Sequence, residues 1–339
     1  MRRGSWLLIV VLGCGGGPSE SGNGNDRDGG STKDGPGTDG DGAAEDGVPR
    51  VGACPVFTAD DAWNIDVRNA PVSAAWTTKF QTRYASVHLH PDFGNYEDEH
   101  YGIPINVVPS GTAAVPVTYD LYAEESDPGP VVLPLPTDVR IEGTDDPTSC
   151  DGDCHLLAVA EGTCEVFEGW LCRYDAQDGY VCANGARFDL ERSSQGQRPD
   201  GYTSADAAGL SILAGLARYD EAAAGAIRHA LRFTVACTQS HYVSPASHQA
   251  VPNDCDGDDP NAPPMGMRVR LRADFDTDGY SAIPKAFLEA MKHYGFILAD
   301  NGSDFYFQSE ADPRWGDELD ELKQVPATAF EVLEPGTFH

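Results

Sequence analysis

The feature that most limits what this 339-residue chain can fold into is its cysteines. Eight of them, Cys54, Cys150, Cys154, Cys164, Cys172, Cys182, Cys237 and Cys255, follow an N-terminus that reads as a secretion signal. That signal has a charged start (Arg2, Arg3), an apolar run over 6–12, then Gly13 and a ninth cysteine, Cys14. An even set of cysteines in an exported chain argues for disulfides rather than metal thiolates or a free nucleophile. Local spacing favours Cys172 with Cys182 across a hairpin and Cys237 with Cys255 closing a loop; the remaining pairing stays open. A zinc site at Cys150 and Cys154 is the weaker alternative, because three intervening residues alone do not define one.

The apolar run is too short to cross a bilayer as a helix, which needs about 20 residues, so it is a segment to be removed. Val11, Leu12, Gly13 and Cys14 look like a bacterial lipobox, in which the cysteine sulfur receives a diacylglyceryl group after cleavage. Acyl chains contribute about 0.8 kcal/mol per buried methylene, enough for two or three of them to hold a soluble domain at a membrane. The expected organisation is therefore a lipoprotein signal over 1–13 and a Gly/Asp-rich disordered tether over 14–50. A single β-rich globular domain follows over 51–339. The tether would reach about 30 to 35 Å, lifting the domain clear of the headgroups. The compartment is the cell envelope, with the domain facing the periplasm or the exterior.

The formal net charge is −31, of which −28 falls on the domain once the leader and tether are set aside. Such a field repels nucleic acid and anionic membrane surface, which leaves the lipid anchor as the membrane partner.

Residues 115–122, 131–135 and 139–142 are β-branched or alternate apolar with polar, which predicts strands. The pattern continues as an antiparallel meander over 155–160, 163–174 and 179–190, with Asp178-Gly179 as a hairpin turn. Residues 204–213 and 220–230 are Ala-rich and predict helices; 231–238 and 267–275 return to strands. Residues 283–294 predict an amphipathic helix stopped by Gly295, followed by short strands and a last helix over 317–324. The expected fold class is mainly β with peripheral α-helices, in the manner of a β-sandwich or jelly roll.

Seven segments carry a resemblance: LHPDFG at 89–94, YGIP at 101–104, AEESDPGP at 123–130, TSADAAGLSILAGLARYD at 203–220, HALRFTV at 229–235, PPMGMRVRL at 263–271 and ILADNGSDFY at 297–306. Together they resemble an uncharacterised family of secreted bacterial and fungal proteins, over nearly all of 54–332. The resemblance implies one exported domain and no particular reaction. The acidic inserts at 145–153 and 253–261, with their cysteines, look like additions particular to this chain.

Three constellations could carry chemistry. Asp274, Asp276, Asp278 and Gly279 spell D-x-D-x-D-G, the opening of a calcium loop. The twelfth position is Lys285 where an EF-hand needs Glu, so the choice is between another structural calcium loop and an acidic turn capping the next helix. On the meander, Glu168 and Trp170 share a strand face near His155, the arrangement in which an indole stacks on a sugar ring while a carboxylate moves a proton. His90 and Asp92, with His88, sit in a loop bounded by Pro and Gly, and His241 and His248 lie within the loop expected to be closed by Cys237 and Cys255. His229 reads as a satisfied core histidine. Ser204 and Asp206 read first as a helix cap.

No G-x-S-x-G, H-E-x-x-H or P-loop occurs. The leading expectation is a protein acting on extracellular polysaccharide as a hydrolase or lyase. Its catalytic candidates are Glu168, His155 and Asp92, with His90, Trp170, Asp206 and His248 as substrate-binding candidates. Cys14 is the lipidation site; no cofactor is required, and Asp274, Asp276 and Asp278 are the candidate ligands of a structural calcium. The alternative is a non-catalytic carbohydrate-binding, adhesion or structural envelope protein.

Overall fold

A computed structural model describes residues 47–93, 102–128, 131–136 and 139–339. The signal, Cys14 and the tether through 46 lie outside the described residues. Contacts divide the chain into Met1–Asp39 and Gly40–His339, and every described residue belongs to the second unit. That unit is mainly β with few helices, as the patterning predicts.

A short ribbon of β1 (Arg50–Val51) and β2 (Cys54–Pro55) leads into a six-stranded sheet containing β3 (His90–Asp92) at one edge. Two four-stranded sheets follow. One is built from β4 (Ile105–Val108), β7 (Leu156–Ala160), β8 (Glu165–Trp170) and β11 (Asn184–Asp189), in the order β11-β8-β7-β4. The other contains β5 (Ala114–Tyr119), β6 (Val131–Pro134), β9 (Arg173–Asp175) and β10 (Gly179–Cys182), in the order β6-β5-β10-β9. The six-stranded sheet is completed by β12 (Leu231–Val235), β13 (Arg268–Leu271), β14 (Phe296–Asn301), β15 (Tyr306–Gln308) and β16 (Phe330–Val332), ordered β16-β13-β14-β12-β15-β3.

The β11-β8-β7-β4 sheet is the middle layer, because its pleat sends alternate side chains into two cores. Leu156, Ala158 and Phe167 pack with Val117, Val131, Leu133 and Tyr180 of the outer four-stranded sheet. Leu157, Val159, Val166, Ala186 and Phe188 belong to the larger core shared with Phe233, Phe296, Phe305 and Phe330. A sheet covered on both faces must be apolar on both, and Leu156 to Val159 are all buried.

The meander departs from its expected course at one corner. β7, β8 and β11 pair antiparallel in sequence, but the β9–β10 hairpin between β8 and β11 swings into the outer sheet, where β10 runs parallel to β5. The Cys172–Cys182 disulfide closes that detour, and Cys237–Cys255 closes the second expected loop. The other two bridges are Cys54–Cys164 and Cys150–Cys154. Four disulfides fit an oxidising extracellular or periplasmic compartment. Among the described residues no helix is long and apolar enough to cross a membrane.

The helices are α1 (Ala74–Arg83), α2 (Ile212–Gly215), α3 (Tyr219–Ala223) and α4 (Ala282–His293). α4 buries Phe287, Leu288 and Met291 and ends before Gly295, whose φ of 74° suits a residue with no Cβ. The Ala-rich helices are far shorter than expected. Residues 204–211 instead form turns tied to the sheet by Ala208 N on the Ala299 carbonyl, and in the short α2 that follows a residue without a Cβ serves close approach. A Cβ on Gly215 would come within 2.7 Å of Arg232 Cβ and 2.9 Å of the Trp63 ring. Residues 139–142 contribute only an isolated bridge from Ile141 to Thr144, and 317–324 wind as a 3-10 helix.

Cys54–Cys164 spans 110 residues and pins β2 to the β7–β8 turn, whereas Cys150–Cys154 spans only four. Chain entropy predicts that replacing Cys54 and Cys164 together by Ala lowers the unfolding free energy by about 4 to 5 kcal/mol. Replacing Cys150 and Cys154 lowers it by about 2 kcal/mol or less. Urea unfolding without reductant distinguishes the two.

Candidate functional site

Three neighbouring strand ends of the middle sheet meet at one edge. His155 immediately precedes β7, Trp170 ends β8, and Asn184 begins β11 directly opposite Trp170. Against this edge stand the end of β14, with Asp300 and Asn301, and two loops carrying Thr203 to Ala207 and His248 to Ala250. The result is a cleft of about 280 Å³, also lined by Tyr122, Glu125 and Asp153.

The loop at 203–209 is held by backbone geometry. β14 pairs parallel to β12 with a register shift: Phe233 faces Leu298 but Thr234 faces Asp300, leaving Ala299 as an extra residue. Such a bulge turns the following side chain, and it frees the Ala299 carbonyl, which accepts from Ala208 N at 2.9 Å. Asp206 sits behind the cleft, fully buried, and accepts from Arg232 Nε at 3.0 Å and from Arg232 Nη2. Arg232 also reaches Gln308 Oε1. His248 Nδ1 donates to the Ala207 carbonyl (2.7 Å), since a carbonyl can only accept, and its Nε2 lies 3.6 Å from Glu125 Oε2.

Two groups in the cleft have strongly displaced proton affinities. Burial, reinforced by the Asp206 carboxylate, pushes Asp300 up to about 7, against the opposing pull of Arg232 and the N–H groups of Asn301 and Ala207. Burial alone would lower His155, but the Glu142 carboxylate, 2.5 Å from Nδ1, outweighs it and raises His155 to about 9. At neutral pH the imidazole is therefore a cation paired with Glu142. Trp170 Nε1 donates to Asp153 Oδ1 at 3.3 Å, and the Trp170 and Tyr122 rings lie 6.3 Å apart at 30°, forming a partly exposed aromatic wall.

The sequence candidates divide accordingly. His155, Trp170 and His248 line the cleft, and Asp206 backs it. Glu168 does not reach it. Glu168 faces the interior between Leu157 and Ala186, is fully buried, and accepts from Ser211 Oγ (2.7 Å), Ile212 N (2.8 Å) and Leu213 N (3.0 Å), holding the start of α2. Burial raises it to about 7 despite those bonds. His90 and Asp92 lie on edge strand β3, paired with Tyr306 and Gln308 of β15; the His90 ring stacks on Tyr306 at 3.9 Å. His229 is a core histidine, bonded to the Ala230 carbonyl and to Glu221.

The D-x-D-x-D-G carboxylates are engaged separately. Asp274 accepts from Arg272 Nε, Asp276 from Asp278 N, and Asp278 from Lys285 Nζ. Among the described residues no group of three or more His, Cys, Asp or Glu is placed to hold a metal ion.

Sequence reasoning missed Tyr122, Glu125, Asp153, Asn184 and Asp300. Glu125 and Asp300 do occur inside the quoted segments AEESDPGP and ILADNGSDFY, but nothing in those segments reveals that they converge. A larger cleft of about 350 Å³ lies near Arg218, Glu221 and Glu310. It contains no aromatic wall, and Glu221 is committed to Arg218 and His229.

His155 makes a directional prediction. Its folded-state affinity is raised above the unfolded value of about 6.5, so the stabilisation is complete below that pH and is lost as pH rises toward 9. Glu142→Gln should remove up to about 3 kcal/mol at pH 6 and progressively less as pH approaches 9. Urea unfolding at pH 6, 7.5 and 9 measures this; an equal loss at all three would contradict the pairing. No protein-family model matches the chain, and no curated protein or solved structure is significantly similar to it, so the cleft is interpreted from its own side chains.

Proposed function

We propose that the domain, anchored to a membrane through Cys14, hydrolyses an extracellular glycan in the cleft between the middle sheet and β14. The observation that carries this reading is the combination, in one cleft, of a raised carboxyl (Asp300), further carboxylates (Asp153 and Glu125) and an aromatic wall (Trp170, Tyr122). Sugar rings present C–H faces that stack on indole and phenol, while their hydroxyls bond to surrounding polar groups. Glycoside hydrolysis needs one protonated and one ionised carboxyl.

In this reading Asp300 gives its proton to the glycosidic oxygen as the bond from that oxygen to the anomeric carbon breaks. A water oxygen bonds to the anomeric carbon, and Asp153 or Glu125 takes the proton that the water loses. Proton return to Asp300 through solvent closes the cycle, so water is the only co-reactant. His155, paired with Glu142, and His248, oriented by Ala207, supply hydrogen bonds to substrate hydroxyls.

Incubation with a polysaccharide panel should release new reducing ends, with an alkaline limb near pH 7 as Asp300 loses its proton. Asp300→Asn should lower kcat by about a hundredfold or more. Trp170→Ala should raise KM by about fivefold to tenfold, as expected for loss of about 1 kcal/mol of stacking. Unsaturated products would instead indicate a lyase, and retention on a glycan matrix without any product would support the non-catalytic binding alternative.

A further inference from the structure

We propose that the glycan taken by this cleft is a cationic amino-sugar chain, whose units carry free ammonium groups; the inference rests on the glycan reading above. Four of the donor groups that the protein contributes near the cleft are already engaged. Trp170 Nε1 is on Asp153 Oδ1, His248 Nδ1 is on the Ala207 carbonyl, and Thr203 Oγ1 is directed at the carbonyls of Ser204 and Asp206. His155 Nδ1 is taken by Glu142.

The acceptors include two carboxylates and an unbonded amide oxygen. Asp153 and Glu125 each bring a carboxylate to the wall. Asn184, 5% exposed, has its side-chain oxygen buried without a hydrogen-bond partner among the described residues. A buried acceptor left unbonded costs about 1 to 3 kcal/mol, which a ligand donor approaching that wall can offset.

Ligand classes differ in what they bring. An ammonium group offers three donors, no acceptor and a positive charge. An acetamido group offers one donor and adds a carbonyl, a neutral hexose offers hydroxyls alone, and a uronate adds a further carboxylate beside Asp153 and Glu125. The aromatic wall adds in the same direction, since a cation is attracted to the faces of Trp170 and Tyr122. At longer range the net charge of −31 attracts a polycation and opposes a polyanion. The His155 imidazolium does not reverse this, because Glu142 neutralises it in place.

The test is calorimetric titration of the disulfide-intact protein with size-matched oligomers: fully deacetylated glucosamine, N-acetylglucosamine, glucose and galacturonate. The glucosamine oligomer should bind about tenfold or more tightly than the acetylated and neutral ones at low salt, with the margin shrinking at high salt. Glu125→Gln and Asp153→Asn should each cut that margin. Trp170→Ala separates the cleft from diffuse surface attraction: a margin that survives this change overturns the proposal. Equal affinity for the neutral or acetylated oligomers overturns the amino-sugar class and leaves the glycan reading standing, as does tighter binding of galacturonate. Binding of none of the four oligomers removes the glycan reading itself.

Discussion

The ion pair between Asp206 and Arg232 organises the part of this domain that surrounds the cleft. Arg232 projects from β12 in the six-stranded sheet and Asp206 from the loop laid over it; both are almost wholly buried. Breaking such a pair by removing one partner costs about 3 to 5 kcal/mol, because the survivor is left as an unpaired buried charge. The pair therefore clamps the loop to the sheet. Its carboxylate also contributes to the electrostatics of the cleft, opposing ionisation of Asp300, while its guanidinium favours it. One structural contact thus both fixes the loop and modulates, beneath the larger effect of burial, the proton affinity of the group proposed as general acid.

The middle sheet supplies the second constraint. Because both faces are covered, a polar side chain on it must be satisfied internally unless it sits at a strand end. Glu168 is in mid-strand and is satisfied by Ser211 and the first amides of α2. Trp170, two residues further along the same face, reaches the open edge. His155 and Asn184 stand at the same edge on the neighbouring strands. The cleft lies where three strands run out, which is also where backbone and side chains can face a ligand without an unfavourable buried polar group.

The sequence by itself determined a good deal. Cysteine parity, with an exported start, led to disulfides, and the two shortest plausible loops, Cys172–Cys182 and Cys237–Cys255, are closed as spacing suggests. Period-two patterning located most strands and the mainly β class, and helical periodicity located α4. The indole at 170 and the imidazoles at 155 and 248, singled out from their chemistry and local context, line one cleft.

Tertiary structure decided the rest, for reasons no local pattern contains. Alternation shows that Glu168 and Trp170 share a face but not that the face is covered by the larger core, so Glu168 looked available when it is enclosed. Alanine-rich composition at 204–213 suggested a helix, yet 204–211 run as turns, held by Asp206 on Arg232 of β12 and by Ala208 N on the Ala299 carbonyl of β14. Glu125, Asp153, Asn184 and Asp300 are separated by up to 175 positions in the sequence. They converge only because β14 runs parallel to β12, carries a bulge at Ala299, and ends opposite the open edge of another sheet. Which carboxylates face solvent and which are spent internally is a property of packing, since burial and neighbouring charge, not residue type, decide where a proton resides.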